Sequence, residues 1–436
     1  MPSVDTGAST SHVGASSASV PPNDPEATKL RPGGPGYRRM TFALFAAGVV
    51  TFALLYSTQA LLPAISAGLG ATPDQASWTV SAATGALALA VLPLSALSER
   101  FGRRRMMTLS LTAATLVSLL MPFAPALGWL VALRALQGLA LAGVPASAMA
   151  YLAEEVRTRA LVGAVGLFVA GNSIGGMSGR VLTGWVSQAW GWRVALGTVA
   201  VLAVIATIAF RLLLPQARHF SPASASPRSL ARTVAGHLSD PLLCRLYAIG
   251  ALFMTVFGAV YTVIGYRLVG DPFRLPEGVV GSIFLVYVVG TASSAAAGKL
   301  VARLGRRGAL YAAVTTTAAG LLISLADSVT AVLAGLVLIT GGFFAGHAVA
   351  SSAVSRTAKH GRAQASALYQ SAYYMGSSLG GTVGALAFHR AGWEGTVLLG
   401  LVAVLGAAGV TLYATRRAIV ERRAKVTERA PVLSAG

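Results

Sequence analysis

Carboxylates are scarce in this chain. Its 436 residues carry 14 Asp and Glu against 34 Lys and Arg, and charged residues of both signs make up only 11%. A soluble domain carries about 25%. With 55% hydrophobic residues, a single soluble core would not hide so much apolar surface, so the lipid bilayer must be the solvent for most of it. Cysteine is nearly absent. Cys244 stands alone, which excludes an internal disulfide, and it reads as a small apolar filler near a helix start. No glycine-rich loop ending in Gly-Lys-Ser/Thr is present, so no ATP site of that kind supplies energy. No nucleophile or metal-ligand motif accompanies the histidines. No catalytic residues, metal ligands or cofactor are expected, and the chain does not read as an enzyme. The first apolar run begins near Met40 and is too long for a cleaved leader.

What is present is apolar sequence in lengths of about 20 residues, the span a helix needs to cross a bilayer. Twelve such runs fall near 40–65, 76–97, 106–125, 128–152, 159–184, 192–214, 243–268, 277–298, 308–326, 329–352, 365–389 and 394–414. The expected layout is a disordered tail over 1–39 and a six-helix bundle over 40–214. A turn-rich basic link over 215–242 follows, with a short amphipathic helix near Leu230–Leu238. A second bundle over 243–415 and a basic tail over 416–436 complete it. The net charge of +20 sits in links and tails, not on a separate basic domain, which excludes a nucleic-acid groove. The basic links follow even-numbered spans and place both termini in the cytoplasm. The six tryptophans, Trp78, Trp129, Trp185, Trp190, Trp192 and Trp393, fall at the other ends, as an interfacial belt would.

The chain also repeats itself. Ser98-Glu99-Arg100-Phe101-Gly102-Arg103-Arg104-Arg105 returns as Ala302-Arg303-Leu304-Gly305-Arg306-Arg307, with Gly102 and Gly305 203 residues apart (305 − 102). Gly138 and Gly143 recur at the same offset as Gly341 and Gly346. Gly175, Gly176 and Gly179 correspond to Gly380, Gly381 and Gly384, and Tyr56 to Tyr261. The fold class is therefore an all-α membrane protein of twelve transmembrane helices in two pseudo-symmetric six-helix bundles. In a parallel duplication of this kind, substrate binds between the halves near the midplane.

From Met40 onward these features resemble the major facilitator superfamily. Ser95, Leu97, Glu99, Arg100, Gly102, Arg103 and Arg104 are similar to its loop motif between helices 2 and 3, with Ser95 where glycine is usual. Gly298, Leu300, Arg303, Gly305, Arg306 and Arg307 are similar to the second copy, with Ala302 where an acid is usual. Arg134-Ala135-Leu136-Gln137-Gly138 resembles the helix 4 motif of drug:proton antiporters. Gly171-Asn172-Ser173-Ile174-Gly175-Gly176 resembles their helix 5 motif, with Asn172 in place of the kinking proline. Together these lean towards the bacterial arabinose-efflux-like, multidrug-exporter-like branch.

The resemblance implies a cytoplasmic gate at Glu99, Arg100, Gly102, Arg103, Arg104, Arg303, Gly305 and Arg306, closed by Glu154 or Glu155 pairing with Arg103. The bland alternative is a loop whose charges only fix orientation. Arg134 lies inside a span, at about 2.5–3.5 kcal/mol on insertion scales. It is expected to face a cavity, where it meets substrate or tunes a proton site; snorkelling to the interface is the alternative. Its repeat partner is Val337. Arg180, near the outer end of span 5, reads as a snorkelling residue, with a catalytic role as the alternative. His347 is the histidine that falls well inside a span, and its unperturbed pKa of about 6.5 suits proton exchange; a neutral histidine bonding a helix neighbour is the alternative. Tyr56, Gln59, Gln137, Asn172, Tyr261, Tyr266, Tyr369, Gln370 and Tyr373 complete the expected cavity positions. Gly171, Gly175, Gly176 and Gly179, with Gly376, Gly380, Gly381 and Gly384, form small faces that let helices 5 and 11 slide at the interface between halves, or simply pack.

The expected function is proton-coupled efflux of a small organic compound by a monomer in the cell inner membrane. Its partners are the substrate, protons and the bilayer. With no embedded carboxylate, the substrate is expected to be neutral or weakly anionic. Uptake on the same scaffold, and a membrane sensor or enzyme, are the alternatives.

Overall fold

Three glycines decide how many times the chain crosses the membrane. Nine helices among the described residues are long and apolar enough to span a bilayer. One of them, Thr158–Leu213, has 56 residues, or about 84 Å at 1.5 Å per residue, against a hydrocarbon core of about 30 Å. It must turn back, and it does so at Gly191, whose φ of 83° is open to glycine and strained for other residues. Glu277–Ile323 breaks likewise at Gly305, φ 69°. Arg362–Tyr413 breaks at Ala391 and Gly392. The nine helices thus make twelve crossings. Pro35–Leu69, Pro73–Phe101, Arg103–Phe123 and Leu127–Glu155 are spans 1 to 4. The limbs around Gly191 are spans 5 and 6, and Pro241–Val269 is span 7. The limbs around Gly305 are spans 8 and 9, Val329–Thr357 is span 10, and the last two limbs are spans 11 and 12.

The structure is a computed structural model that describes residues 28–220, 222 and 227–429. Most of the expected N-terminal tail (1–27), part of the central link (221 and 223–226) and residues 430–436 lie outside the described residues. The link contains a helix, Pro227–Ser239, which includes the segment expected to be amphipathic. It is tied down by His237, whose Nε2 lies 3.1 Å from the Gly361 carbonyl.

Each half has its own core. Spans 1–6 surround Leu44, Leu87, Leu111, Leu141 and Phe210. Spans 7–12 surround Phe253, Val260, Leu321, Ile339 and Val404. The glycine stripes are used, but not as expected. A Cβ at Gly171 would lie 2.6 Å from the Phe45 carbonyl, and one at Gly179 2.9 Å from Ala53 Cα. A Cβ at Gly380 or Gly384 would lie 2.6 Å from Thr255 or Ala259 Cα. The stripes of spans 5 and 11 therefore seat spans 1 and 7 inside their own halves; they are not a sliding surface between halves. Gly381 is the exception, because a Cβ there would lie 3.0 Å from Ser81 Oγ across the divide. Backbone cannot rotate out of the way as a side chain can. Gly380→Leu should therefore lower stability by about 1–3 kcal/mol, read as a fall in the thermal midpoint of the purified protein; an unchanged midpoint would contradict the packing.

The halves meet along a seam at the ends opposite the charged loops. Gly184 of span 5 and Gly281 of span 8 are so close that a Cβ on either would touch the other's Cα at 2.9–3.0 Å. Around them Trp185 Nε1 donates to Ser282 Oγ at 3.0 Å. The Gly278 N–H donates to Gln188 Oε1 at 2.9 Å. Tyr266 OH lies 2.6 Å from Ser66 Oγ and donates to the Leu62 carbonyl at 2.9 Å. Ser378 Oγ of span 11 donates to the Ser81 carbonyl of span 2 at 2.8 Å. Four tryptophans at these ends are exposed, as a belt requires, but Trp192 and Trp393 are buried. Trp192 packs on Gly68, and Trp393 donates to Ser324 Oγ at 3.1 Å, so these two are packing residues.

Candidate functional site

The site begins with a break in span 1. Its α-helix stops at Leu55, and Tyr56 leaves helical geometry at φ −112°, ψ 12°. A short 3₁₀ turn over Gln59–Leu61 then leads into Leu62–Leu69. A break in hydrocarbon frees carbonyls that must find donors inside the protein. Arg134 supplies them. It is fully buried; its Nε donates to the Thr79 carbonyl at 2.7 Å and its Nη1 to the Leu54 carbonyl at 2.7 Å. Further bonds reach the Leu55 carbonyl and Gln137 Oε1. Arg134 does not snorkel, and its fork is occupied by backbone. Gln137, also fully buried, braces it. These two residues, expected to line a cavity, form a strut inside the first half.

The cation at the divide is Arg180. Near a span end it read as a snorkelling side chain. The structure turns it inward, with a relative exposure of 2%. Its Nε donates to Gln59 Oε1 at 2.7 Å, and Nη1 bonds the Gly176 carbonyl. Its guanidinium lies 4.2 Å from the ring centre of Tyr56, 4.9 Å from that of Phe284 and 5.0 Å from that of Tyr287. Span 1 supplies Tyr56 and Gln59; span 8, in the other half, supplies Phe284 and Tyr287. A cation on ring faces gains about 2 kcal/mol when desolvated. Among the described residues no Asp or Glu forms an ion pair with it.

On the other side of the divide, rings continue from Tyr287 through Phe344 and Phe343 to His347 and Tyr373. His347 is half-buried, stacked 6.0 Å from Phe343, and its Nδ1 lies 2.9 Å from Tyr369 OH. Among the described residues no bond is made by Nε2. Tyr369 is wedged against Gly250. Tyr261 was expected to face the cavity. It is instead buried within the second half, with its hydroxyl 2.5 Å from Thr340 Oγ1. Asn172 and Gln370 are half-buried. Asn172 Oδ1 has no hydrogen-bond partner and stands where a Cβ on Gly48 would lie 2.6 Å away.

At the charged loops, Arg103 Nε donates to Glu154 Oε1 at 3.0 Å, which selects Glu154 over Glu155. Gly102, at φ 100°, ends span 2 and turns the chain. Arg100 lies over Phe101. Arg104 Nε is buried with no partner among the described residues. In the second copy Arg303 and Arg306 are exposed, and Arg303 lines a lateral cleft of about 570 Å³ between spans 8, 9 and 10. Glu155 instead gathers the central link. It accepts the N–H groups of Arg218 and His219 at 2.7 and 2.8 Å, and its Oε2 lies 3.0 Å from His219 Nδ1. The 155–157 backbone also pairs with Leu30. Sequence reasoning missed Phe284 and Tyr287, the part Glu155 plays in gathering the central link, and the orientation of Arg180. The one signal available was a second arginine inside a span with no acid near it.

Comparison with known proteins agrees with this architecture. The model of the Major Facilitator Superfamily matches residues 44–270 and 246–435. The chain is 40% identical over 370 residues, 85% of its length and 92% of the relative's, to the uncharacterized MFS-type transporter YybF of Bacillus subtilis (strain 168). It is 39% identical over 366 residues, 84% of its length and 88% of the relative's, to the inner membrane transport protein YnfM of Escherichia coli (strain K12). Among solved structures, an inward-facing bacterial homolog of the human lysosomal transporter Spinster superposes with a TM-score of 0.72 at 14% identity, over 88% of this chain and 97% of that one.

Proposed function

The chain belongs to the Major Facilitator Superfamily and is a multi-pass membrane transporter, and from that premise we propose that it exports a small organic compound in exchange for protons by alternating access. The observation that carries this reading is the one-sided seam. Spans 5 and 8 close on adjacent glycines at the ends away from the charged loops, directly above a buried cation held by rings from both halves. A packed seam of this kind has two discrete arrangements, open and shut, and substrate binding between the halves biases one of them. In the arrangement described, the opposite face is shut. The charged loops carry the cytoplasmic gate, where Glu154 holds Arg103 within the first half, with Arg303 and Arg306 as the second-half counterparts. Both termini lie in the cytoplasm of a cell inner membrane, where the positive-inside rule puts the basic links.

His347 is the proposed proton carrier. It is half-buried at the divide, one ring nitrogen is held by Tyr369, and the other is left for a proton. Tyr56, Gln59, Asn172, Gln370 and Tyr373 form the remaining wall. Among the described residues no carboxylate pairs with Arg180, so the substrate is neutral or anionic, not an obligate cation. The test is a panel of neutral, anionic and cationic compounds scored for proton release from reconstituted liposomes, paired with accumulation in everted vesicles. Exchange of neutral or anionic compounds that stops when the pH gradient is collapsed, with accumulation in everted vesicles, is the expected result. Transport of permanent cations alone, or accumulation that ignores the gradient, would contradict it.

A further inference from the structure

Arg180 is buried at 2% exposure among neutral groups. A buried charge without an opposite charge is costly, and proteins pair such charges or put them to use. Three ring faces offset part of that cost, and two of them, Phe284 and Tyr287, are on loan from the other half. When spans 5 and 8 part, those faces leave and the guanidinium keeps Gln59, the Gly176 carbonyl and Tyr56. A second observation points the same way. Tyr287, 8% exposed, carries a buried hydroxyl with no hydrogen-bond partner among the described residues, and its ring is one of the three around the cation. Leaving a buried hydroxyl without a partner costs about 1–3 kcal/mol, so the first half brings a cation without a counter-charge and the second an unsatisfied donor to one place.

We propose that Arg180 and Tyr287 together form the binding subsite for the anionic group of the substrate, and that the substrate class is a small aromatic carboxylate or sulfonate. This rests on the transporter reading above and narrows its substrate. Arg180 donates to the anion from the first half and the Tyr287 hydroxyl donates from the second. Bound anion thus bridges the divide and replaces the ring faces that cover the cation in the shut state. The planar apolar body is received by the rings that surround this point, with Phe284 at 5.8 Å and Phe344 at 6.2 Å from Tyr287. Arginine suits this role because its planar fork matches carboxylate and sulfonate oxygens.

The test uses the full chain in lipid nanodiscs. Benzenesulfonate is the permanently anionic probe, benzenesulfonamide the neutral match and benzyltrimethylammonium the cationic match, each titrated calorimetrically. Saturable binding of benzenesulfonate is expected, with benzenesulfonamide weaker and the cation silent. Arg180→Gln should weaken benzenesulfonate by about tenfold or more, the loss of a charge-assisted bond, and Arg180→Lys should recover part of it. Tyr287→Phe keeps the ring and removes only the hydroxyl; it should weaken the anion more than it weakens benzenesulfonamide. The Tyr287 variant stays informative if Arg180→Gln fails to fold. Equal binding of anion and neutral match, no saturable anion binding, or unchanged anion affinity in folded Arg180→Gln or Tyr287→Phe would overturn the subsite. Proton-coupled exchange of neutral compounds alongside any of those outcomes would leave the transporter reading standing, which separates the two failures.

Discussion

Replacing Arg134 with methionine should all but abolish the yield of folded protein. The residue looks like a transport residue, a charge buried in a span, and removing it relieves an insertion cost of about 2.5–3.5 kcal/mol. Against that gain stand the groups it satisfies. The Leu55 carbonyl and the Gln137 side-chain oxygen lose their donor, and the Leu54 and Thr79 carbonyls, which keep Ser57 and their own helix, each lose a charge-assisted bond. At about 1–3 kcal/mol for each unsatisfied buried group and about 1.5–3 kcal/mol for each charge-assisted bond, the loss exceeds the relief by several kcal/mol. That is a large share of the about 5–15 kcal/mol that holds a typical domain together. Arg134→Lys keeps the charge but offers a point donor instead of a fork, so it should fall between the two. Monodisperse yield by fluorescence-detected size exclusion, with thermal midpoints, checks the series. Wild-type yield and midpoint for Arg134→Met would show that the span 1 break does not need its clamp.

His347→Ala should abolish exchange driven by a pH gradient while leaving solute counterflow at the wild-type rate. The two assays separate because counterflow needs only alternation and binding, whereas gradient-driven exchange needs a group that gains and loses a proton. Histidine is the side chain whose unperturbed titration falls in the working range of pH, and among the described residues His347 makes no bond through Nε2. Tyr369 holds Nδ1 at 2.9 Å and fixes the ring between Phe343 and Tyr373. Tyr369→Phe should therefore slow coupled exchange without abolishing it. Loss of both activities in His347→Ala would make the residue structural. Retention of both would place proton coupling elsewhere.

The crossings, the repeat and the two glycine turns after spans 2 and 8 were legible because each leaves a local mark in the sequence: length, charge and the residue that tolerates positive φ. Gly102 and Gly305 announce their turns without any partner being known. The site was less legible because its parts come from afar. Arg180 and Arg134 are both arginines inside apolar helices, and no periodicity tells which of them meets backbone and which meets rings. What decides it is the span 1 break, which puts the Leu54 and Leu55 carbonyls beside Arg134. The arrival of Phe284 and Tyr287 from a span more than 100 residues away decides it for Arg180. The glycine stripes show the same limit. Their spacing announced close approach, yet only the fold shows that Gly171 and Gly380 meet spans 1 and 7 within a half. Trp192 and Trp393 sit at the expected ends but face inward, since a span end does not fix which way its ring points.

The central claim is that the two halves rock about the seam between spans 5 and 8. It is tested most directly by wedging that seam and watching both faces. Gly281→Leu sets a side chain where even a Cβ would stand 3.0 Å from Gly184 Cα. In a Cys244→Ser background, spin labels on Trp129→Cys and Ser328→Cys report the seam side. Labels on Arg105→Cys and Arg307→Cys report the charged side. All four labelled positions are exposed. Pulsed electron–electron distance measurements in nanodiscs should show the wedge lengthening the first pair and shortening the second. Lengthening of the first with no change in the second would mean a local distortion and no rocking, and would contradict the account.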